Sequence, residues 1–195
     1  MGIRERYGRK RRLRSVKMIS TYTLCYVQII DRKGEPLSLS SFDFVININL
    51  RGTVDLIRQL LPTMTANTPV GSEAGDGERG VLILVSSVAA FDGQPGQLSY
   101  SASKGAIASL TLPLARDLAP YGIRAVTIAP GVFASQMTKM MSDKVRKSLE
   151  GVMEFPKRMG TADEFASMVR EVIRNKMLNA TVIRLDGGVR MPSKM

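Results

Sequence analysis

Gly80-Val-Leu-Ile-Leu-Val-Ser-Ser87, then Tyr100-Ser-Ala-Ser-Lys104, then Ala129-Pro-Gly131 decide how this chain is read. The run from Gly80 to Val85 is apolar without alternation and bounded by glycine and serine, the pattern of a short strand buried on both faces. The strand therefore ends where Ser87 begins. Beyond the loop Phe91-Asp-Gly-Gln-Pro-Gly-Gln97, alanines and leucines recur at helical spacing from Ser99 to about Leu118. That spacing predicts a helix with Tyr100 and Lys104 one turn apart, both directed back toward the strand end.

A tyrosine and a lysine so placed suit hydride chemistry on a carbonyl or carbinol. A free tyrosine has a pKa near ~10, and bringing it toward ~7 takes roughly 4 kcal/mol of preferential stabilisation of the phenolate. An ammonium one turn away supplies much of it. A serine hydroxyl at the strand end can hydrogen-bond the substrate oxygen and hold it where the phenol exchanges its proton. Ser87 is the candidate for that task, Tyr100 for the general acid/base, and Lys104 for its activation.

Tyr-x-x-x-Lys alone is a weak motif; the strand, the serine before it and a second buried strand ending in Ala129-Pro-Gly131 make it specific. On these residues the chain resembles the short-chain dehydrogenase/reductase family, and within it the members that act on 3-hydroxyacyl-CoA and hydroxysteroid substrates. Val88-Ala-Ala-Phe-Asp-Gly-Gln94, Tyr100-Ser-Ala-Ser-Lys-Gly105, Thr111-Leu-Pro-Leu-Ala-Arg-Asp-Leu-Ala-Pro120 and Thr127-Ile-Ala-Pro-Gly131 carry the resemblance, which runs from about Ser40 to Arg190. It implies an NAD-dependent oxidoreductase interconverting a secondary alcohol and a ketone, with Lys104 and Tyr100 also contacting the nicotinamide ribose. Pro130, Gly131 and the main chain near Phe133 would pass close to the nicotinamide, since glycine lets a backbone approach a flat ring. Gln94 and Gln97 would line the substrate pocket. Asn49, in Asn49-Leu-Arg-Gly52, matches a family asparagine whose main chain binds a water relaying protons to the lysine; Asn47 does not. The resemblance also implies a homotetramer assembled through its helices and a mitochondrial enzyme of lipid metabolism, with the cytoplasm as the alternative compartment.

The composition narrows the chemistry independently. Histidine is absent, which removes Ser-His-Asp hydrolysis, Cys-His proteolysis and His-ligated metal sites, so no metal is expected. The single cysteine, Cys25, excludes an internal disulfide and suits a reducing compartment. No apolar run approaches the ~20 residues that span a membrane. The net charge of +11 is unevenly placed: residues 1–17 hold eight Lys or Arg against one Glu. This basic tail reads as a solvated, disordered extension, as a nuclear-import or nucleic-acid patch able to take RNA through salt-sensitive contacts, or as an Arg-rich presequence. The domain proper is expected over residues 18–195.

Taken in order, the partly alternating segment from Ile19 to Ile30 predicts a strand. Asp31-Arg-Lys-Gly-Glu-Pro36 predicts a turn. A helix capped by Ser40 or Ser41 carries Phe42, Ile46, Leu50, Val54, Ile57 and Leu61 on one stripe and ends at Pro62. Residues 62–80 read as a surface loop. Gly122 stops the helix that bears Tyr100, and Ile123 to Ala129 forms the next strand. The Met-rich segment Gln136-Met-Thr-Lys-Met-Met-Ser142 reads as a lid over substrate, pliable thioethers suiting acyl chains. Thr161 caps a helix with the stripe Phe165, Met168 or Val169, Val172 and Ile173, and Ala180 to Leu185 is the last strand.

Alternating strands and helices imply a doubly wound parallel sheet, here an incomplete Rossmann-like fold corresponding to the C-terminal, catalytic half of the family's domain. The Gly-rich turn that would hold a pyrophosphate, the acidic residue that would read the ribose and the family's Asn-Asn-Ala-Gly segment have no counterpart among these residues. NAD rather than NADP is therefore carried by the resemblance alone. Three readings stand at this point: part of a full enzyme, a half-protein that binds partners without catalysis, or a reduced enzyme with weak cofactor binding. In each, the outermost strand needs cover for its edge, from another chain or from residues 19–30.

Overall fold

The computed structural model describes residues 15–20, 23, 26–70, 76–135, 138 and 142–193. Four parallel strands form one sheet in the order β1-β2-β3-β4: β1 (Ser15–Ile19), β2 (Gly80–Val85), β3 (Ile123–Pro130) and β4 (Thr181–Leu185). Between them run α1 (Leu39–Ile46), a π-helical turn (Asn47–Arg51), α2 (Gly52–Thr65), α3 (Leu98–Leu118), α4 (Asp143–Gly151) and α5 (Ala162–Arg174).

The unbroken apolar run of β2 is explained by its two covered faces. Leu82 and Leu84 pack with Ile57 and Met64 of α2 and Ile107 and Leu118 of α3, whereas Val81 and Ile83 pack with Val126, Ile128 and Val172, with Phe165, Met168, Val169 and Ile173 of α5 around them. A strand enclosed this way has no polar side, so alternation is lost. The expected stripe on α5 is the one that faces the sheet, and its N-terminus carries a full capping box between Thr161 and Glu164.

Two expectations change. The first strand lies at Ser15–Ile19 and pairs Ser15 to Gly80 through Ile19 to Leu84, so it reaches into the basic segment; the described residues from Ser20 to Ile29 form no strand, and Ile30 makes only an isolated bridge to Pro36. It is this earlier stretch that covers the edge of β2. Residues 1–14, with most of the basic tail, lie outside the described residues, as does Cys25. The long helix is capped by Ser38 rather than Ser40 or Ser41 and continues through Pro62 to Thr65. Its buried line is Val45, Asn49, Thr53, Ile57 and Met64, while Val54 is 43% exposed. Two of those five inward positions are polar, which is why apolar spacing alone selected the neighbouring stripe.

Arg124 on β3 is buried and serves as a cap for α5: Nη1 donates to the carbonyls of Val172 and Leu178, and Nη2 and Nε both reach Glu78 Oε1. It thus fixes α5 against the lower end of the sheet, opposite the strand ends that bear the site. Among the described residues no helix is long and apolar enough to cross a membrane.

Candidate active site

The carboxyl ends of β2 and β3 open into a cavity of about 370 Å³, where ligands sit in open parallel sheets. Its wall includes Ser87, Gln94, Gln97, Tyr100, Lys104, Pro130, Gly131 and Phe133. The serine, phenol and ammonium expected to work together therefore share one space. Asn49 is not on that wall.

Strand β2 ends at Val85, and the chain turns at once into a short 3-10 turn, Val88–Ala90, capped by Ser87. The Ser87 Oγ accepts the N–H of Ala89 at 3.1 Å. A hydroxyl that accepts there keeps its own proton to donate into the cavity. Its neighbour Ser86 is buried and donates its hydroxyl to the Lys104 carbonyl at 2.7 Å, which ties the strand end to the middle of the first turns of α3.

Tyr100 and Lys104 lie one turn apart on α3, as their spacing requires. The Lys104 Nζ stands 5.8 Å from the centroid of the Tyr100 ring and donates to the Val85 carbonyl at 3.1 Å. The residue is 1% exposed, and burial pulls its pKa down from 10.5 to about 8. It remains protonated at neutral pH, a cation held on the floor of the cavity.

Asn49 does something the sequence did not disclose. It sits in the π-helical turn, fully buried; its Oδ1 accepts the N–H of Thr23 at 2.7 Å, and its Nδ2 donates to the Thr23 carbonyl at 3.2 Å and to Ser103 Oγ at 3.0 Å. Ser103 in turn donates to the Tyr100 carbonyl at 2.7 Å. The Asn49 side chain thereby fastens the segment after β1 to the helix that carries Tyr100. Its main-chain carbonyl accepts Thr53 Oγ1 at 2.7 Å.

Gln94 and Gln97 line the cavity, and both give amide hydrogens to protein: Gln94 Nε2 to the Pro192 carbonyl, Gln97 Nε2 to the Tyr26 hydroxyl at 3.2 Å. Gly131 also lines it, but its missing side chain serves another contact, because a Cβ there would lie 3.0 Å from the Asp186 Cα. Glycine is needed at that position for the approach of β4's end, whatever flanks it in the cavity. The Phe133 ring is packed edge-on against Phe165, with centroids 5.8 Å apart, and a Cβ on Gly160 would strike it. Of the expected lid, Gln136, Met137 and residues 139–141 lie outside the described residues, while Thr138 and, further on, Val145 and Leu149 stand on the cavity wall.

A clamp that sequence reasoning missed holds the loop between β2 and α3. Arg184 of β4 meets Asp92 through Nη2 at 2.5 Å and Asp186 through Nε at 2.7 Å, and its guanidinium lies 5.3 Å from the centroid of the Phe91 ring. The hydrogen bonds from Arg184 hold the Asp92 carboxyl below the usual carboxylate range. Arg184 and Asp92 lie 92 positions apart, and no local pattern announces such a pair.

Comparison with known proteins agrees with this geometry. The family model described as short chain dehydrogenase matches residues 29–146. The rat 3-hydroxyacyl-CoA dehydrogenase type-2 is 51% identical over 161 residues, covering 83% of this chain and 60% of the rat protein. A 3-oxoacyl-acyl-carrier-protein reductase of Thermotoga maritima is 30% identical over 150 residues, covering 76% of this chain and 56% of its own. The crystal structure of a 3-hydroxyacyl-CoA dehydrogenase type-2 from Mycobacterium avium superposes with a TM-score of 0.85 at 35% identity, over 94% of this chain and 69% of that one. The chain thus spans about 60% of the length of the rat relative. With the family model matched over residues 29–146 and the rat relative 51% identical across 83% of it, the chain belongs to the short-chain dehydrogenase family.

Proposed function

We propose that this chain carries the catalytic site of an NAD-dependent oxidoreductase that interconverts a 3-hydroxyacyl-CoA, or a hydroxysteroid, with the corresponding ketone. The observation that carries the reading is the single cavity into which Ser87, Tyr100 and Lys104 open beside Pro130, Gly131 and Phe133. Similarity to relatives named for 3-hydroxyacyl-CoA and 3-oxoacyl substrates supports the acyl thioester as the first choice.

The residues present fit the nicotinamide end of such a cofactor. A buried cation and a phenol adjoin a largely apolar space at the strand ends, which suits a ribose beside a flat ring. Tyr100 and Lys104 would hold the ribose, and Pro130, Gly131 and the main chain at Phe133 would flank the ring. Bound there, the nicotinamide supplies or accepts a hydride at the reacting carbon. The rest falls to the chain's own groups. Ser87 donates its free proton to the substrate oxygen and fixes that oxygen's position. Tyr100 donates a proton to the same oxygen as charge develops on it during reduction, and takes it back during oxidation. Lys104, anchored by Val85, provides the positive field that favours the phenolate. Asn49 holds α3 in register through Ser103, and in addition its main chain would bind the water of a proton relay.

A second reading, a non-catalytic interaction subunit, is favoured by one observation. Leu39, Phe44, Ile48, Val54 and Leu56 on the α1–α2 helix, with Leu98 and Leu112 on α3, are between 37% and 76% exposed. Exposed apolar side chains on these two helices suit assembly with further copies, and a homotetramer is compatible with catalysis as well as with scaffolding. Titrating NADH by fluorescence and assaying acetoacetyl-CoA reduction separates the two. Binding with turnover that Tyr100→Phe abolishes supports the enzyme; no response at millimolar NADH leaves the scaffold.

A further inference from the structure

Tyr26 lines the same cavity as Tyr100 yet has no part in the chemistry above. The chain is fastened on both sides of it: Thr23 to Asn49, and Val27 by its N–H to the Gly96 carbonyl at 3.0 Å. Gly96, at φ +84°, presents a face on which a Cβ would lie 3.6 Å from the Tyr26 ring. Tyr26 as a residue is 62% exposed, at the rim of the cavity rather than its floor.

The direction of its hydrogen bond is settled by chemistry. Gln97 Oε1 accepts the main-chain N–H of Gln94 at 3.1 Å, and a backbone N–H can only donate, so the Gln97 amide is oriented with Nε2 toward Tyr26. Tyr26 is therefore the acceptor at 3.2 Å, and its own proton is left to donate. Gln97 immediately precedes α3, one turn before Tyr100, so this second phenol is indexed to the helix that carries the first.

We propose that Tyr26 determines specificity by donating its phenolic proton to the second oxygen of a 3-oxoacyl thioester, the thioester carbonyl, while Ser87 and Tyr100 take the oxygen on the reacting carbon. This rests on the reaction proposed above and names its substrate class: ketones with a second oxygen two carbons away are favoured over simple ketones.

The test compares acetoacetyl-CoA with S-(3-oxobutyl)-CoA, which keeps the ketone and the CoA but has a methylene in place of the thioester carbonyl. Calorimetric Kd values are measured for the wild-type chain and for Tyr26→Phe, which retains the ring packed on Gly96. The wild type should prefer acetoacetyl-CoA by about three- to tenfold, the range of one rim hydrogen bond, and Tyr26→Phe should bind the two alike. A Tyr26→Phe chain that keeps the preference, or a wild type that shows none or binds neither, overturns the assignment. A wild type that binds with the preference but reduces neither ketone supports the Tyr26 contact and sinks the proposed reaction instead.

Discussion

Replacing Lys104 by methionine keeps most of the side-chain volume and removes a charge from a site that is 1% exposed. The folded-state pKa of about 8, against 10.5 for an ordinary lysine, measures what burial costs. At about 1.4 kcal/mol per unit, the ammonium destabilises the fold by about 3 kcal/mol at neutral pH. Methionine leaves the Val85 carbonyl without its donor, which takes back about 1–2 kcal/mol, so a net gain of about 1–2 kcal/mol is expected at pH 7. Because the folded-state pKa is depressed, the unfolded chain binds more protons than the folded one between about pH 8 and 10.5. Wild-type stability therefore gains from this group as pH rises through that window. Wild type should gain about 2 kcal/mol on the variant from pH 7 to about 9.5, enough to close the gap or reverse it. Urea denaturation at the two pH values reads both quantities, and reductase assays on the same samples should show turnover reduced by about 10²–10³-fold. A variant less stable than wild type at pH 7, or a gap that ignores pH, would refute the reasoning.

Three further outcomes follow from the same geometry. Ser87→Ala should lower kcat by about 10²-fold with little change in KM, since the hydroxyl acts on developing charge; an unchanged kcat in steady-state assays would remove Ser87 from the mechanism. Asn49→Ala should cost about 2–4 kcal/mol in denaturant titrations and speed amide exchange at Thr23, because it strips the partners of Thr23 and Ser103 at once. Arg124→Met should cost about 3–5 kcal/mol by leaving Glu78 charged and buried, with the KM of any active protein unmoved, since the pair lies at the opposite end of the sheet.

How far the chain could be read in advance depended on whether the deciding contacts were local. Strand β2 was legible because enclosure on both faces erases alternation over a whole run, and Tyr100 and Lys104 were legible because four residues on a helix make one turn. Strand β1 was not, because Ser15-Val-Lys-Met-Ile19 adjoins a basic segment that reads as solvated, and only its pairing with Gly80 to Leu84 makes it a strand. The long helix carries apolar residues on two sides, so spacing could not choose between the stripe at Ile46 and Val54 and the true inward line through Asn49 and Thr53. Asn49 was picked out, but the contact it makes through its side chain, to Thr23, spans 26 positions. Tyr26 and Arg184 offered no signal at all; they matter through Gln97 and Asp92, 71 and 92 positions away.

The most direct trial of the central claim is isotope transfer. The chain is incubated with acetoacetyl-CoA and NADH carrying deuterium at both hydrogens of the nicotinamide C4, and the acyl product is weighed by mass spectrometry, for the wild type and for Tyr100→Phe. Deuterium at C3 of 3-hydroxybutyryl-CoA from the wild type, and its loss with Tyr100→Phe, is the result predicted. Unlabelled product, no product from the wild type, or equal yields from both proteins would contradict a hydride-transfer site built on Tyr100, Lys104 and Ser87.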